Sequence, residues 1–311
     1  MIKVKNKPLK WHGGKTYLSK WLHSLAPPSV IDDPENGYIT RGDAYFGAGN
    51  ASWEWLPTDD ISEVVNDINE DLANFWNVLR TPSQFDSLTR KLEATPFSKP
   101  LFDEMLNSPA PSCPVDQAFR FFVINRQSMS GRMQGFTPPT KLRTRGGRNA
   151  EANAWWNAIE GLREVHERLQ GVLIYNEHAP GFIRIIDSPK TLVYCDPPYM
   201  HETRSTTSEY GEHEMSDRAH AILLATLATQ GRMFISRDQF ETLSGDETYE
   251  DFVSSWNVSF RGRFMLSGYW SQLYEDFANE LGWKRHEFEI DNKASSAKTK
   301  EKKTECVWTN Y

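Results

Sequence analysis

Thr191-Leu192-Val193-Tyr194-Cys195-Asp196-Pro197-Pro198-Tyr199 decides how this 311-residue chain is organised. Its first five residues are a short apolar run of the kind that forms a buried strand. The prolines cannot donate to a strand ladder, so the strand stops before them and Asp196 stands at its carboxyl end. Ligands of open α/β sheets bind at that edge. An isolated Asp-Pro-Pro also serves as a plain strand-ending turn. The apolar run before it and the tyrosine after it favour a site here.

These residue types suit one chemistry. An exocyclic amine on a nucleobase is a poor nucleophile, because its lone pair is delocalised into the ring. A carboxylate and a backbone carbonyl that accept both amine hydrogens localise that lone pair. Asp196 offers the carboxylate, Pro197 the carbonyl, and Tyr199 a face for stacking, which is worth roughly 1–3 kcal/mol per base.

Upstream, Leu9-Lys10-Trp11-His12-Gly13-Gly14-Lys15-Thr16 invites a phosphate-loop reading. That loop needs a further glycine where Leu9 stands and an apolar strand before it. A glycine turn holding Trp11 and Lys15 over a cofactor fits better. Tyr17–Leu25 then reads as a short helix. In Asp43-Ala44-Tyr45-Phe46-Gly47-Ala48-Gly49-Asn50, Gly47 and Gly49 predict a tight turn into a helix over Ala51–Leu56. Asp67 follows Gly47 by about twenty residues, after the strand-like Glu63-Val64-Val65-Asn66, a spacing that suits an acid binding ribose hydroxyls. Asp67 also fits as the N-cap of a helix over Ile68–Leu79, with Ile68, Leu72, Phe75, Trp76 and Leu79 on one face.

From Thr81 to Gly171 the pattern turns helical. Helices are predicted over Ser83–Leu92, Ser98–Leu106, Asp116–Asn125 and Asn149–Leu169. Arg126–Arg148 is too long and too basic for a plain connection. It is the candidate segment for reading DNA, against a solvated basic loop. The α/β pattern returns with a strand at Val172–Tyr175, a helix near Pro180–Ile186 and the Thr191–Cys195 strand. His201–Glu214 is polar and placed to close over a flipped base, and Ser216 caps a helix over Asp217–Thr229. Either Gly231–Ser236 or Gly262–Ser267 supplies the next core strand. Trp283–Ile290 and Glu305–Thr309 read as closing strands.

The composition is that of a globular protein: 39% hydrophobic, 25% charged, with no apolar run of the ~18 residues that a membrane span needs. The basic N-terminus lacks the apolar stretch of a signal peptide. The three cysteines are far apart, form no metal-type pair and read as reduced thiols in a cytoplasm, with Cys195 a small core residue. The eight histidines show no ligand spacing, so no metal is expected. Net charge is −7, yet Gln117–Ala150 holds seven basic residues and no acid, and Lys284–Lys303 seven against four. Two basic patches on an acidic body suit a protein that grips phosphates on one side.

With these residues in order, the chain resembles the Dam-type DNA adenine-N6 methyltransferases, particularly phage-like members. The resemblance spans nearly the whole length: Lys-Trp-x-Gly-Gly-Lys, glycine turn, acid, helical insert, Asp-Pro-Pro-Tyr and a final Trp-Thr-Asn. It implies a Rossmann-like α/β core, residues 1–80 and 171–311, that uses S-adenosylmethionine. A mainly helical target-recognition insert, 81–170, would carry the basic loop 126–148. It further implies that Trp11, Lys15, Asp43, Phe46, Gly47, Gly49, Asp67 and Asp196 hold the cofactor. Asp196, Pro197, Pro198 and Tyr199 would be catalytic on an adenine flipped out of duplex DNA. Asn125 and Arg126, with Gly131 after them, match the opening of the recognition segment, and Arg132, Lys141, Arg143 and Arg145 are its further candidate DNA contacts.

The glycine motif begins Asp43-Ala44-Tyr45 where the family usually has Glu-Pro-Phe. Met129, Ser130 and Gln134 stand where GATC-reading members carry an aromatic–Asn pair and an arginine, so GATC specificity is not carried over. A monomer or weak dimer on DNA is expected, with a restriction endonuclease as an optional partner. Cytosine-N4 methylation, an inactive DNA-binding protein of the same fold and a P-loop hydrolase are the alternatives.

Overall fold

Every residue of Thr191–Cys195 is buried in a strand. The computed structural model describes residues 4–11, 14–55, 58–137, 144–145, 147–204, 211–229, 233–291 and 302–311. In chain order come α1 (Ser19–Leu25), β1 (Thr40–Asp43), β2 (Ser62–Asn66), α2 (Glu70–Arg80), α3 (Pro82–Glu93), α4 (Lys99–Asn107) and α5 (Pro114–Gln127). A small hairpin, β3 (Thr144–Arg145) and β4 (Arg148–Asn149), leads to α6 (Ala150–Glu160) and α7 (Leu162–Leu169). Then follow β5 (Val172–Tyr175), α8 (Ala179–Ile186), β6 (Thr191–Cys195), α9 (Asp217–Thr226), α10 (Arg237–Glu241) and α11 (Tyr249–Trp256). The chain ends with β7 (Arg263–Gly268), α12 (Gln272–Leu281), β8 (Lys284–Asp291) and β9 (Lys302–Thr309). This is the α/β class expected, with the helical stretch between β2 and β5. Among the described residues no helix is long and apolar enough to cross a membrane, and no cluster of three or more His, Cys, Asp or Glu could hold a metal ion.

The chain divides into two compact units, residues 1–25 with 46–176 and residues 26–45 with 177–311. In the first, β2 and β5 pair in parallel, and α2 to α7 build an aromatic-rich core around Phe75, Trp76, Phe122 and Trp155. Helix α2 buries Leu72, Ala73, Phe75, Trp76, Val78 and Leu79. Ile68 precedes it and is exposed, contrary to its predicted place on the buried face. The cap is Asn69, whose side chain accepts the Leu72 N–H at 2.9 Å, rather than Asp67, whose carboxylate is engaged elsewhere. The helix predicted over Asn149–Leu169 breaks in two at Gly161. The N-terminal segment crosses there so closely that a Cβ on Gly161 would stand 2.6 Å from Asn6 Cβ. The predicted Ala51–Leu56 helix is only a 3-10 turn, Ser52–Glu54; Trp55 is already extended, and Leu56 lies outside the described residues.

In the second unit the strand order is β1-β6-β7-β9-β8. β1, β6 and β7 run parallel, with Asp43 opposite Tyr194 and Cys195 opposite Leu266. β9 is antiparallel to both β7 and β8. Of the two candidate core strands, the second is used: the Asp187 carboxylate accepts the Arg261 and Gly262 N–H groups at 3.0 Å each and steers the chain in beside β6. Met233–Ser236 is not a strand; it leads into the capping box of α10 at Ser236, and Gly231 and Arg232 lie outside the described residues. Ser216 caps α9 through the Ala219 N–H, as predicted, although the helix ends earlier, at Thr226.

Candidate active site

In the first unit the chain reverses through Gly47 and Gly49, both left-handed at φ +52° and +68°. The turn is held from several sides. Asp67 Oδ2 accepts the Gly47 N–H at 2.8 Å and Oδ1 the Asn69 N–H at 3.0 Å. The buried indoles of Trp76 and Trp53 donate to the carbonyls of Gly47 and Ala48 at 3.2 and 2.7 Å. Phe46 packs edge-on against both indoles. Trp11 lies against the turn, so that a Cβ on Gly47 would stand 2.7 Å from its Nε1. Lys15 is buried. Trp11, Phe46, Gly47, Gly49 and Asp67 are therefore brought together from three separate stretches of sequence. Asp67 is half-buried.

In the second unit Asp196 follows the last residue of β6, and Asp43 ends β1 beside it in the ladder. Asp43 is buried and accepts the Tyr45 N–H at 3.2 Å. Tyr199 is buried, and its hydroxyl donates to Glu305 Oε2 at 2.7 Å. The Tyr269 ring meets it edge-on, centroids 4.8 Å apart. Burial, and then the charges of Asp196 and Glu305, hold the Tyr199 phenol well above its ordinary pKa, so it stays a neutral donor. The Tyr194 phenol, bonded to Ser267 Oγ at 3.0 Å, is raised likewise by burial and then Asp196. Burial, Asp43 and Asp196 push the Cys195 thiol up, which makes it a core side chain and no nucleophile. Three carboxyl groups, Asp43, Asp196 and Glu305, thus lie near Tyr194 at the carboxyl end of β6.

The model of the D12 class N6 adenine-specific DNA methyltransferases matches residues 11–257, from the Trp11 motif through the tetrad to α11. The chain belongs to this family. It is an adenine-specific DNA methyltransferase, and the cytosine-N4 reading is set aside. Comparison with curated proteins gave no match.

In this D12 methyltransferase the Asn125-Arg126 pair, expected among the DNA contacts, is turned inward. Asn125 is fully buried; its amide accepts the Lys10 N–H and donates to the Lys10 carbonyl, both at 2.9 Å. Arg126 donates to the Ala154 carbonyl at 2.8 Å, and burial brings its pKa down to about 10. Gly131 crosses Lys10 so closely that a Cβ would stand 2.4 Å from its carbonyl oxygen. What these residues hold is the main chain next to Trp11. Arg132 is exposed. Arg145 is placed by its backbone on β3, while Lys141 and Arg143 lie outside the described residues, as do 205–210 of the polar loop after the tetrad.

Two members of the site went unread in the sequence. Glu305 is an acid opening the apolar run Cys306-Val307-Trp308, and that contrast was the available signal. His220 sits between alanines of α9, fully buried, with Nδ1 2.9 Å from the Tyr274 hydroxyl. Burial, and then Arg204 and His201, bring its pKa down to about 3, while the Pro198 carbonyl acts in the opposite sense. A neutral imidazole therefore backs the tetrad.

Proposed function

We propose that this methyltransferase uses S-adenosylmethionine, that Asp196, Pro197, Pro198 and Tyr199 form its catalytic tetrad, and that its target is an adenine flipped out of duplex DNA. The observation that carries the assignment is the position of Asp196, one residue beyond a fully buried strand and inside a field of carboxylates. The Asp196 carboxylate and the Pro197 carbonyl accept the two N6 hydrogens and localise the lone pair. Tyr199 stacks on the adenine ring, with its hydroxyl already committed to Glu305. On transfer of the methyl group the sulfonium carbon–sulfur bond would break to leave a neutral thioether, and the proton shed by N6 would pass to Asp196 or water. Orientation of the amine is the protein's contribution.

The residues present fit the cofactor. A glycine turn whose amide is bound by Asp67, with the Trp11 indole against it, suits a nucleoside, and an acid about twenty residues after the glycine turn suits its ribose hydroxyls. Trp11, Lys15, Asp43, Phe46, Gly47, Gly49, Asp67 and Asp196 would hold it. When bound, it supplies an electrophilic methyl group on a positively charged sulfonium, which negative potential complements.

Residues 81–170 would serve target recognition and 1–80 with 171–311 catalysis. Arg132, Lys141, Arg143 and Arg145 are assigned to DNA, and Asn125 and Arg126 to positioning Lys10 and Trp11. It would act in the cytoplasm as a monomer or weak dimer on DNA, with a restriction endonuclease as an optional partner.

The test is transfer of labelled methyl from S-adenosylmethionine to unmethylated DNA, followed by digestion to nucleosides. Label is expected in N6-methyladenine and lost in Asp196→Ala. Persistence of the label in that variant would remove Asp196 from the chemistry.

A further inference from the structure

The second unit carries a cavity of about 450 Å³ next to the tetrad. Three segments line it: Glu202 and Thr203 just after the tetrad, Tyr269 and Trp270 just after β7, and Lys303 and Thr304 on β9. These segments meet at the carboxyl edge of parallel strands β6 and β7, where α/β sheets take their ligands. None of Asp196, Pro197, Pro198 or Tyr199 lines the cavity among the described residues. Tyr269 stands between: its ring meets Tyr199 at 4.8 Å, and the Lys303 ammonium lies 5.0 Å over it. Trp270 is 52% exposed, whereas Trp53, Trp76, Trp155 and Trp308 are all buried.

We propose that this cavity is a nucleotide subsite that takes the base adjoining the target adenine, stacked on Trp270, with its phosphate at Lys303. The inference rests on the target amine being held at the tetrad. A half-exposed indole beside a lysine has the chemistry that binds unpaired bases: a flat face on which any base stacks, and a cation for the backbone. The volume admits one nucleotide, and the hydroxyl and carboxylate groups of Thr203, Thr304 and Glu202 can meet its base edge. One intervening ring from the tetrad, the occupant is a neighbour of the flipped base and not that base itself.

The test is fluorescence anisotropy with a labelled single-stranded oligothymidylate about twelve nucleotides long, without cofactor. Trp270→Ala is expected to weaken binding by about five- to 150-fold and Trp270→Phe to leave it near wild type. Lys303→Ala should flatten the dependence of log K on log salt by about 0.7. Thermal unfolding of each variant separates loss of binding from loss of fold. Trp270→Ala binding within about twofold of wild type, or a wild type that does not bind the strand, overturns the subsite. The tetrad assignment is read separately, by methyl transfer in Asp196→Ala, so either can fail alone.

Discussion

The Tyr199 hydroxyl donates to Glu305 Oε2 at 2.7 Å with both side chains buried, which fixes the tetrad tyrosine by the end farthest from its backbone. The phenol is thereby committed, and in the proposed reaction the ring face is what it offers a base. Tyr199→Phe keeps that face. It should retain methyl transfer within about tenfold, while losing about 1–3 kcal/mol of stability with the hydrogen bond to the Glu305 carboxylate. Tyr199→Ala should lose stacking besides, roughly a further 1–3 kcal/mol in kcat/KM. Comparable activity losses in the two variants would mean that the hydroxyl takes part in the reaction.

At the glycine turn, Gly47→Ala forces a side chain into left-handed backbone and toward the Trp11 indole. Strain of about 1–3 kcal/mol predicts a five- to 150-fold rise in the Kd for S-adenosylmethionine, measured by equilibrium dialysis. Asp67→Ala should weaken the same binding, because it frees the Gly47 amide as well as removing the carboxylate. Unchanged affinity in both variants would move the cofactor away from this turn.

Arg168 on α7 pairs with Glu63 on β2, both side chains nearly enclosed, and burial lowers the arginine pKa to about 10. Glu63→Ala leaves a buried charge without its counter-ion and should cost about 3–5 kcal/mol in chemical denaturation. The paired change Glu63→Leu with Arg168→Met should recover most of that loss.

His220 supplies a pH dependence. Its native pKa of about 3 lies below the ordinary value of 6.5. Between those limits the unfolded chain binds a proton that the folded protein refuses. Stability from this group is complete above pH 6.5 and falls as pH drops toward 3, by at most about 1.4 kcal/mol per pH unit. His220→Gln should flatten the difference in unfolding free energy between pH 7 and 4. Parallel pH curves for the two proteins would contradict the buried neutral imidazole.

The parts of this fold legible in the sequence are those set by local pattern. The apolar run before Pro197 predicts β6, the 3.6-residue spacing of Leu72, Phe75, Trp76 and Leu79 predicts α2, and Ser216 predicts its cap. The misreadings arise where a distant segment decides. Asn6 crosses the chain at Gly161, where the predicted helix divides, and Asp187 anchors Arg261 and Gly262 at the entry to β7. The contact between Gly47 and Asp67 is legible because both lie in one strand–turn–strand stretch. Glu305 was not, since 106 residues separate it from Tyr199 and only the folded sheet brings them together. The Asn125-Arg126 motif was visible, but its inward direction depends on the course of Lys10.

The distribution of thiols has a practical consequence. Cys195 and Cys306 are buried, with burial pushing the first well up and the second to about 11, while Cys113 is exposed. Maleimide reagents attack thiolates, so a dye should enter the native protein at Cys113 alone. That residue stands just before the first turn of α5, the helix whose far end carries Asn125 and Arg126. The wild-type sequence therefore already contains a single spectroscopic handle on the element that grips Lys10, and no cysteine has to be added or removed to watch that helix respond to DNA.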